Sequence, residues 1–386
     1  MKNLSLRFSF KILALAALLA CATTQAADFT TTAGYNQTCQ EMQKVKNPAR
    51  LQNDNARVAF VICNDTKLSQ QIITWATREF KDIEKTENAK NRGQELIDHV
   101  LKEVDYTRNQ LALSQGVLEK IHLGKKKSLR LVPAQWSMDL NGDGKTEIWE
   151  KYFFAIPKRG TNPSEPMMPN NTQQHYDDEY QLDAAIKVDQ SDILWSLSYH
   201  YFIAGLLANI RAFDIDDEPF EIRLSRPELL KTAHQLIGKG IDTSEKMRQS
   251  VLAETSNDEE WIGNPKQTAS VFPIELDAQD FVTWGLILNE WSALWQGEHL
   301  LPVAQGGLLE EFGGCPDGSG LNIKKLYLEP PKKQAILPIR HNPDFLSTQC
   351  QPIDADHPVS TLPDMITHAK DSDPSMHFLR YLYWAN

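Results

Sequence analysis

The chain has 386 residues, 41% of them hydrophobic and 24% charged, with a formal charge of −11 at neutral pH. An acidic excess of this size excludes nucleic acid and anionic lipid surfaces as natural partners. The length exceeds what one hydrophobic core usually holds, so one large or two intimate domains are expected.

The N-terminus carries Lys2, Arg7 and Lys11 ahead of an apolar stretch from Ile12 to Ala20, too short to span a bilayer as a permanent helix. This is the pattern of a secretory signal, and Thr24 and Ala26 satisfy the small-residue rule for cleavage after Ala26. A second cut is open at Cys21, where "LLAC" resembles a lipobox and would leave the chain lipid-anchored through that cysteine. Residues 1–26 contain three basic and no acidic residues, so their removal takes the charge from −11 to −14. Four cysteines then remain, Cys39, Cys63, Cys315 and Cys350. In an oxidising compartment an even number points to two bridges; near-neighbour pairing, Cys39–Cys63 and Cys315–Cys350, is the simplest of the three connectivities, with four free thiols as the alternative.

Apolar residues at spacings of three and four predict amphipathic helices over Lys67 to Lys85 and Gln94 to Leu113. The run "LRLVPAQWSMDL" reads as a strand leading into an acidic loop, and a second apolar run, Ile148 to Ile156, leaves it. The loop itself is "DLNGDGKTEIWE". Its positions 1, 3, 5, 7, 9 and 12 hold Asp139, Asn141, Asp143, the carbonyl of Lys145, Glu147 and Glu150, with Gly144 at the sharp turn. That is the oxygen-donor order of a calcium-binding loop, and a single weak site of this kind serves as a structural clip where calcium is millimolar. Thr146 stands where a paired loop carries an aliphatic residue, and no sister loop is visible, which argues against a paired sensor. A plain Asn-Gly and Asp-Gly turn with solvated acids is the alternative.

The stretch "PKRGTNPSEPMMPNNTQQ" is a long loop with four prolines. Ser191 to Phe213 is apolar almost all round, hence a bundle centre or a membrane span; Ser196, Ser198, His200 and Asn209 favour the bundle. Ser225 with Glu228 reads as a capping box for a helix running towards Ala253, with Pro227 in its first turn. Asp277 caps a further helix, whose ladder Phe281, Trp284, Leu288, Trp291 and Trp295 is read as a core seam. Beyond Pro302, repeated prolines preclude long helices, and the chain is expected to wrap its own body and dock its aromatic end. The fold expected is mainly α, a bundle-like helical body with a small β element around the calcium-type loop and a Pro-rich C-terminal region. Its layout is a signal peptide over 1–26, a helical region with the loop over 27–156, a loop over 157–176, a helical core over 177–301 and a loop-rich wrap over 302–386.

No nucleophile elbow, zinc-protease helix, P-loop or Cys-x-x-Cys occurs, and none of the ten histidines lies within four residues of another. His200 is read as a satisfied core histidine, with a general base as the alternative. A glycosidase relying on two distant carboxylates would escape such a search.

Two stretches, "WSMDLNGDGKTEIWEKYF" and "DILWSLSYHYFIAGLLANIRAFD", resemble a group of exported accessory proteins encoded in type VI secretion clusters, which influence where and when the contractile apparatus assembles. The resemblance spans Leu129 to Trp295. It implies a soluble periplasmic, non-enzymatic role, partners among secretion membrane-complex components or peptidoglycan, and no catalytic residues. A cell-wall enzyme and a calcium-stabilised ligand-binding lipoprotein remain the competing expectations.

Overall fold

The computed structural model describes residues 27–85, 92–159, 172–217, 219–303, 314–330, 334–337 and 346–368. Residues 1–26, read above as a signal peptide with Cys21, most of the Pro-rich stretch read as a loop, and the aromatic C-terminal stretch read as docked core lie outside the described residues.

After a short helix, α1 (Thr32–Met42), the chain forms two long ones, α2 (Asp54–Lys85) and α3 (Arg92–Leu118). α2 starts thirteen residues earlier than the periodicity from Lys67 suggests, because Asn53 accepts a hydrogen bond from Ala56 N and Val58, Val61 and Ile62 continue the apolar face backwards. The expected strand into the acidic loop shrinks to β1 (Arg130–Leu131). Pro133 has no N–H to donate to a ladder and opens a 3-10 turn over Pro133–Gln135 instead. The run leaving the loop starts as a single helical turn, α4 (Ile148–Lys151), and only then extends into β2 (Ile156–Pro157).

Next come α5 (Gln173–Glu179), β3 (Tyr180–Gln181) and β4 (Ile186–Lys187), followed by the apolar helix α6 (Gln190–Arg211). A hairpin of β5 (Phe213–Asp216) and β6 (Glu221–Leu224) turns the chain back into α7 (Pro227–Ala253), and α8 (Ala278–Gln296) follows. The C-terminal region holds β7 (Ser319–Leu321), α9 (Ile323–Leu328), β8 (Gln334–Leu337), β9 (Cys350–Pro352) and α10 (Leu362–His368). The strands pair antiparallel as β1–β4, β2–β3, β5–β6–β8 and β7–β9, so the fold is mainly α with small β elements.

α6 sits at the centre of the helical body, against α3 on one side and α7 on the other; α2 lies on α3, and α8 and α9 lie on α7. The α6–α7 approach is close because each helix sets a glycine against a large side chain of the other. A Cβ on Gly205 would come within 2.6 Å of Ile237, and one on Gly240 within 2.8 Å of the Phe202 ring. By length and mean hydropathy α6 is the one described helix able to cross a membrane, yet His200, Tyr201, Ala204 and Ala208 are buried in the bundle.

Asp277 caps α8 by accepting from Asp280 N at 2.9 Å, as expected. The ladder of that helix is core: Phe281, Trp284, Leu288 and Trp295 are buried, and Trp291 stacks on Phe202 at 5.1 Å. The cap expected at Ser225 is not made. Ser225 N and Arg226 N both donate to Ala212 O, which moves the first turn on by one residue and makes Arg226 the N-cap. The main core runs from Phe29 to Trp295. A smaller cluster gathers Ala212, Leu224, Leu230, Val303, Cys315, Leu321 and Leu346 under the C-terminal region. Both disulfides have the expected pairing, Cys39–Cys63 and Cys315–Cys350, with Cα separations of 5.1 and 5.6 Å. Two bridges mark an oxidising, extracytoplasmic environment.

Candidate functional site

The acidic loop is wound about its own side chains. Asp139 accepts from Gly142 N and Gly144 N at 2.7 and 2.9 Å, Asn141 from Asp143 N, and Asp143 from Lys145 N. Gly142 and Gly144 take φ of 74° and 86°, where a side chain would be strained. Asp143, Lys145 and Glu147 are exposed, Asp139 and Asn141 half-buried, and Glu150 is fully buried. Glu150 closes the loop. Its Oε1 accepts from Leu140 N and Asn141 N and its Oε2 from Glu147 N, all at 2.8 to 2.9 Å. The donor set is oxygen only, which suits a hard cation. Those three bonds leave Glu150 one lone pair on Oε2, so it would serve a cation through one oxygen rather than two.

The loop is tied to α2 by Gln70 Nε2 donating to Asp139 O and Thr74 Oγ1 donating to Leu140 O. Downstream of it, residues 153–156 form one wall of a cavity of about 500 Å³ whose opposite wall is the α2 face carrying Val58, Ile62, Asp65 and Ser69. Trp136, Trp195, Trp261, Phe153 and Phe154 supply its aromatic surface. Trp136 is held by stacking on Tyr35 at 5.9 Å, and Trp261 meets Trp195 edge-on at 5.7 Å. Such a volume, mostly apolar with a few converging polar groups, is what small-molecule sites share.

The polar groups are two carboxyls, Asp65 and Asp192, and the hydroxyls of Thr66, Ser69 and Ser196; among the described residues no basic side chain lines the cavity. Asp65 Oδ1 accepts from Ser114 Oγ at 2.6 Å, and Oδ2 lies 3.2 Å from His200 Nε2, too bent for a hydrogen bond but an ion-pair contact. His200 Nδ1 faces Ser196 O at 2.7 Å. Burial opposes charging of His200, but the adjacent Asp65 charge outweighs it and holds the imidazole above its usual value. His200 is therefore a partnered core histidine one layer behind the cavity wall. Asp192 is half-buried, lines the cavity and accepts from Asp189 N through Oδ2 at 3.0 Å; burial, reinforced by the Asp189 charge, pushes its carboxyl well above the ordinary range.

Behind Asp192 stands a buried acidic group. Asp189 caps α6, Glu254 ends α7 and Glu260 follows, with one carboxylate oxygen of each within 4.8 Å of the others. Among the described residues this is the one place where three carboxylates converge closely enough to share a cation, and it is not the acidic loop. Lys127 Nζ donates to Glu260 Oε1 at 2.7 Å, and Asp189 Oδ1 accepts from Ser191 N and Oγ. Burial and then the Asp189 charge push Glu254 from 4.5 up to about 7.

The consequence is a stability that falls as pH rises. Between 4.5 and about 7 the folded chain keeps a proton on Glu254 that the unfolded chain has lost, so stability present in full below 4.5 is lost as pH passes 7. Asp192 and the His200 cation act in the same direction. Denaturant melts are expected to show the protein more stable at about pH 5 than at about pH 8 by roughly 1–2 kcal/mol, allowing for solvent screening of a partly exposed carboxyl. Glu254→Gln should flatten that slope, and a wild-type profile rising over the interval would contradict it.

Of the residues singled out in the sequence, the six loop positions lie together and His200 lies one layer behind the cavity wall, against Asp65. Asp65 and Asp192 were not singled out. Asp65 had a signal, a charged residue on the otherwise apolar α2 face, whereas Asp192 reads from sequence as an ordinary first-turn acid. No family model matches the chain, and no curated protein or solved structure matches it either.

Proposed function

We propose that the protein is a non-catalytic accessory factor of the cell envelope that acts by binding, with the acidic loop as a calcium clip. The observation carrying this reading is the preformed, aromatic-walled cavity joined through one short segment to the acidic loop. In the finer form, drawn from the two resembling stretches, the chain is periplasmic, soluble or anchored at Cys21, and biases where a type VI apparatus assembles by touching the membrane complex or the peptidoglycan beside it. Such a bias requires that it bind one assembly state better than another. Deleting the gene should leave the core components present while changing the frequency or position of sheath assembly, read with a fluorescent sheath marker among prey cells. Unchanged counts, positions and prey survival would remove the type VI form.

The clip has its own test. Asp139, Asn141, Asp143, Glu147, Glu150 and the Lys145 carbonyl would hold the ion, whose role is to draw the loop's oxygens together. At a hundredfold excess over its dissociation constant, calcium would stabilise the protein by about 2–3 kcal/mol. The melting temperature should rise in calcium relative to chelator, and Asp143→Ala should abolish the difference. Equal melting temperatures for the wild type would end the clip reading.

A cell-wall hydrolase is favoured by one feature, the placement of Asp65 and Asp192 in different environments of the same cavity, as an acid and base pair requires. Release of muropeptides by the purified protein would put that reading first.

A further inference from the structure

The cavity's walls specify more than that something binds. Their titratable groups are all acidic: Asp65 at one point, Asp192 at another, and no lysine, arginine or histidine among the described lining residues. Behind Asp65 stands His200, and behind Asp192 stand Asp189, Glu254 and Glu260, the last paired with Lys127. The Asp192 end is therefore crowded with carboxyl groups whose mutual repulsion a cation would relieve, favouring their ionised forms. The remaining wall is aromatic and aliphatic, with ring faces from several elements and three hydroxyls, Thr66, Ser69 and Ser196. A volume of about 500 Å³ suits a small molecule. Phe153, 41% exposed, stands out among buried and half-buried lining residues and marks the mouth.

We propose that this cavity between α2, the start of α6 and residues 153–156 is a binding site for a small amphipathic amine, its ring or alkyl body against the tryptophans and its ammonium group between Asp65 and Asp192. An ammonium offers three donors to carboxylates and hydroxyls and gains from the aromatic faces as well. A neutral ligand of the same shape gains the apolar contact alone, and an anion meets the carboxyls unpaired. The proposal rests on the reading of the cavity as a binding site, and the ligand series below separates the failure of one from the failure of the other.

The test is calorimetric titration of the full mature protein with three probes of one shape, 3-phenylpropylamine, 3-phenylpropanol and 3-phenylpropanoate, with tryptophan fluorescence followed in parallel. The amine is expected to bind at least about tenfold more tightly than the alcohol, with the carboxylate weakest. Asp192→Asn and Asp65→Asn should each remove most of that preference while leaving the alcohol's affinity within about twofold. If amine and alcohol bind alike, or the carboxylate binds best, the ligand class is overturned and the cavity remains a site. If none of the three binds, ligand class and cavity reading fall together. The wild-type series decides the matter even if a variant does not fold.

Discussion

Replacing Glu150 by alanine is expected to cost the protein roughly 3–5 kcal/mol in chelator, with no metal involved. The side chain is fully buried, and its carboxylate takes three backbone N–H groups, those of Leu140, Asn141 and Glu147. Leu140 is itself 0% exposed, so its N–H cannot turn to water when the acceptor goes, and an orphaned buried donor costs about 1–3 kcal/mol. The space left by the side chain adds to this. Asp143→Ala is the control on the same loop. Asp143 is exposed and accepts one local bond, from Lys145 N, so without calcium its loss should stay within about 0.5 kcal/mol. Urea melts of both variants in chelator would show it. A Glu150→Ala cost below about 1 kcal/mol would mean that the loop is not held closed by this carboxylate.

The contrast matters for the calcium proposal because it separates two roles that one sequence pattern combines. The twelve-residue spacing placed Asp139 through Glu150 on one loop and predicted its turn at Gly144, which takes a positive φ, as does Gly142, of which the pattern says nothing. It could not show that the last carboxylate is already committed to the backbone, since those bonds depend on the chain folding back over Leu140. The same limit applies elsewhere. α6 and α7 were readable to within two residues because apolar period and a first-turn proline act locally, whereas the start of α2 at Asp54 is obscured by Asn55, Asn64 and Asp65, which break up the apolar period of its first turns. The cavity was the least legible feature. Its walls come from α2, the turn around Trp136, residues 153–156, β4, α6 and Trp261, and no local pattern records that they converge. Glu254 and Glu260 likewise meet Asp189 only because the end of α7 is brought back to the start of α6.

Loss of the Cys39–Cys63 bridge is the second large effect, expected at roughly 3–4 kcal/mol from the closure of a loop of 24 residues in the unfolded chain. The Cys315–Cys350 bridge, with a separation of 35, should be worth a similar amount in the same account, yet the two losses should look different. Cys39 and Cys63 join α1 to α2 inside the main core, where the Tyr35 hydroxyl also donates to Thr66 at 2.8 Å. Thr66 lies on the α2 face that lines the cavity, next to Asp65. Double replacement by serine there should lower global stability and weaken any ligand at the cavity together. Cys315 and Cys350 belong to the smaller cluster under the C-terminal region, so their replacement should open that region to proteases at denaturant concentrations where the tryptophans of α8 still report a folded core. Mass spectrometry after alkylation without reductant should find neither pair labelled, and limited proteolysis beside fluorescence melts should separate the two variants. Four labelled thiols would remove the bridges, and identical proteolysis for both variants would show that the two clusters unfold as one.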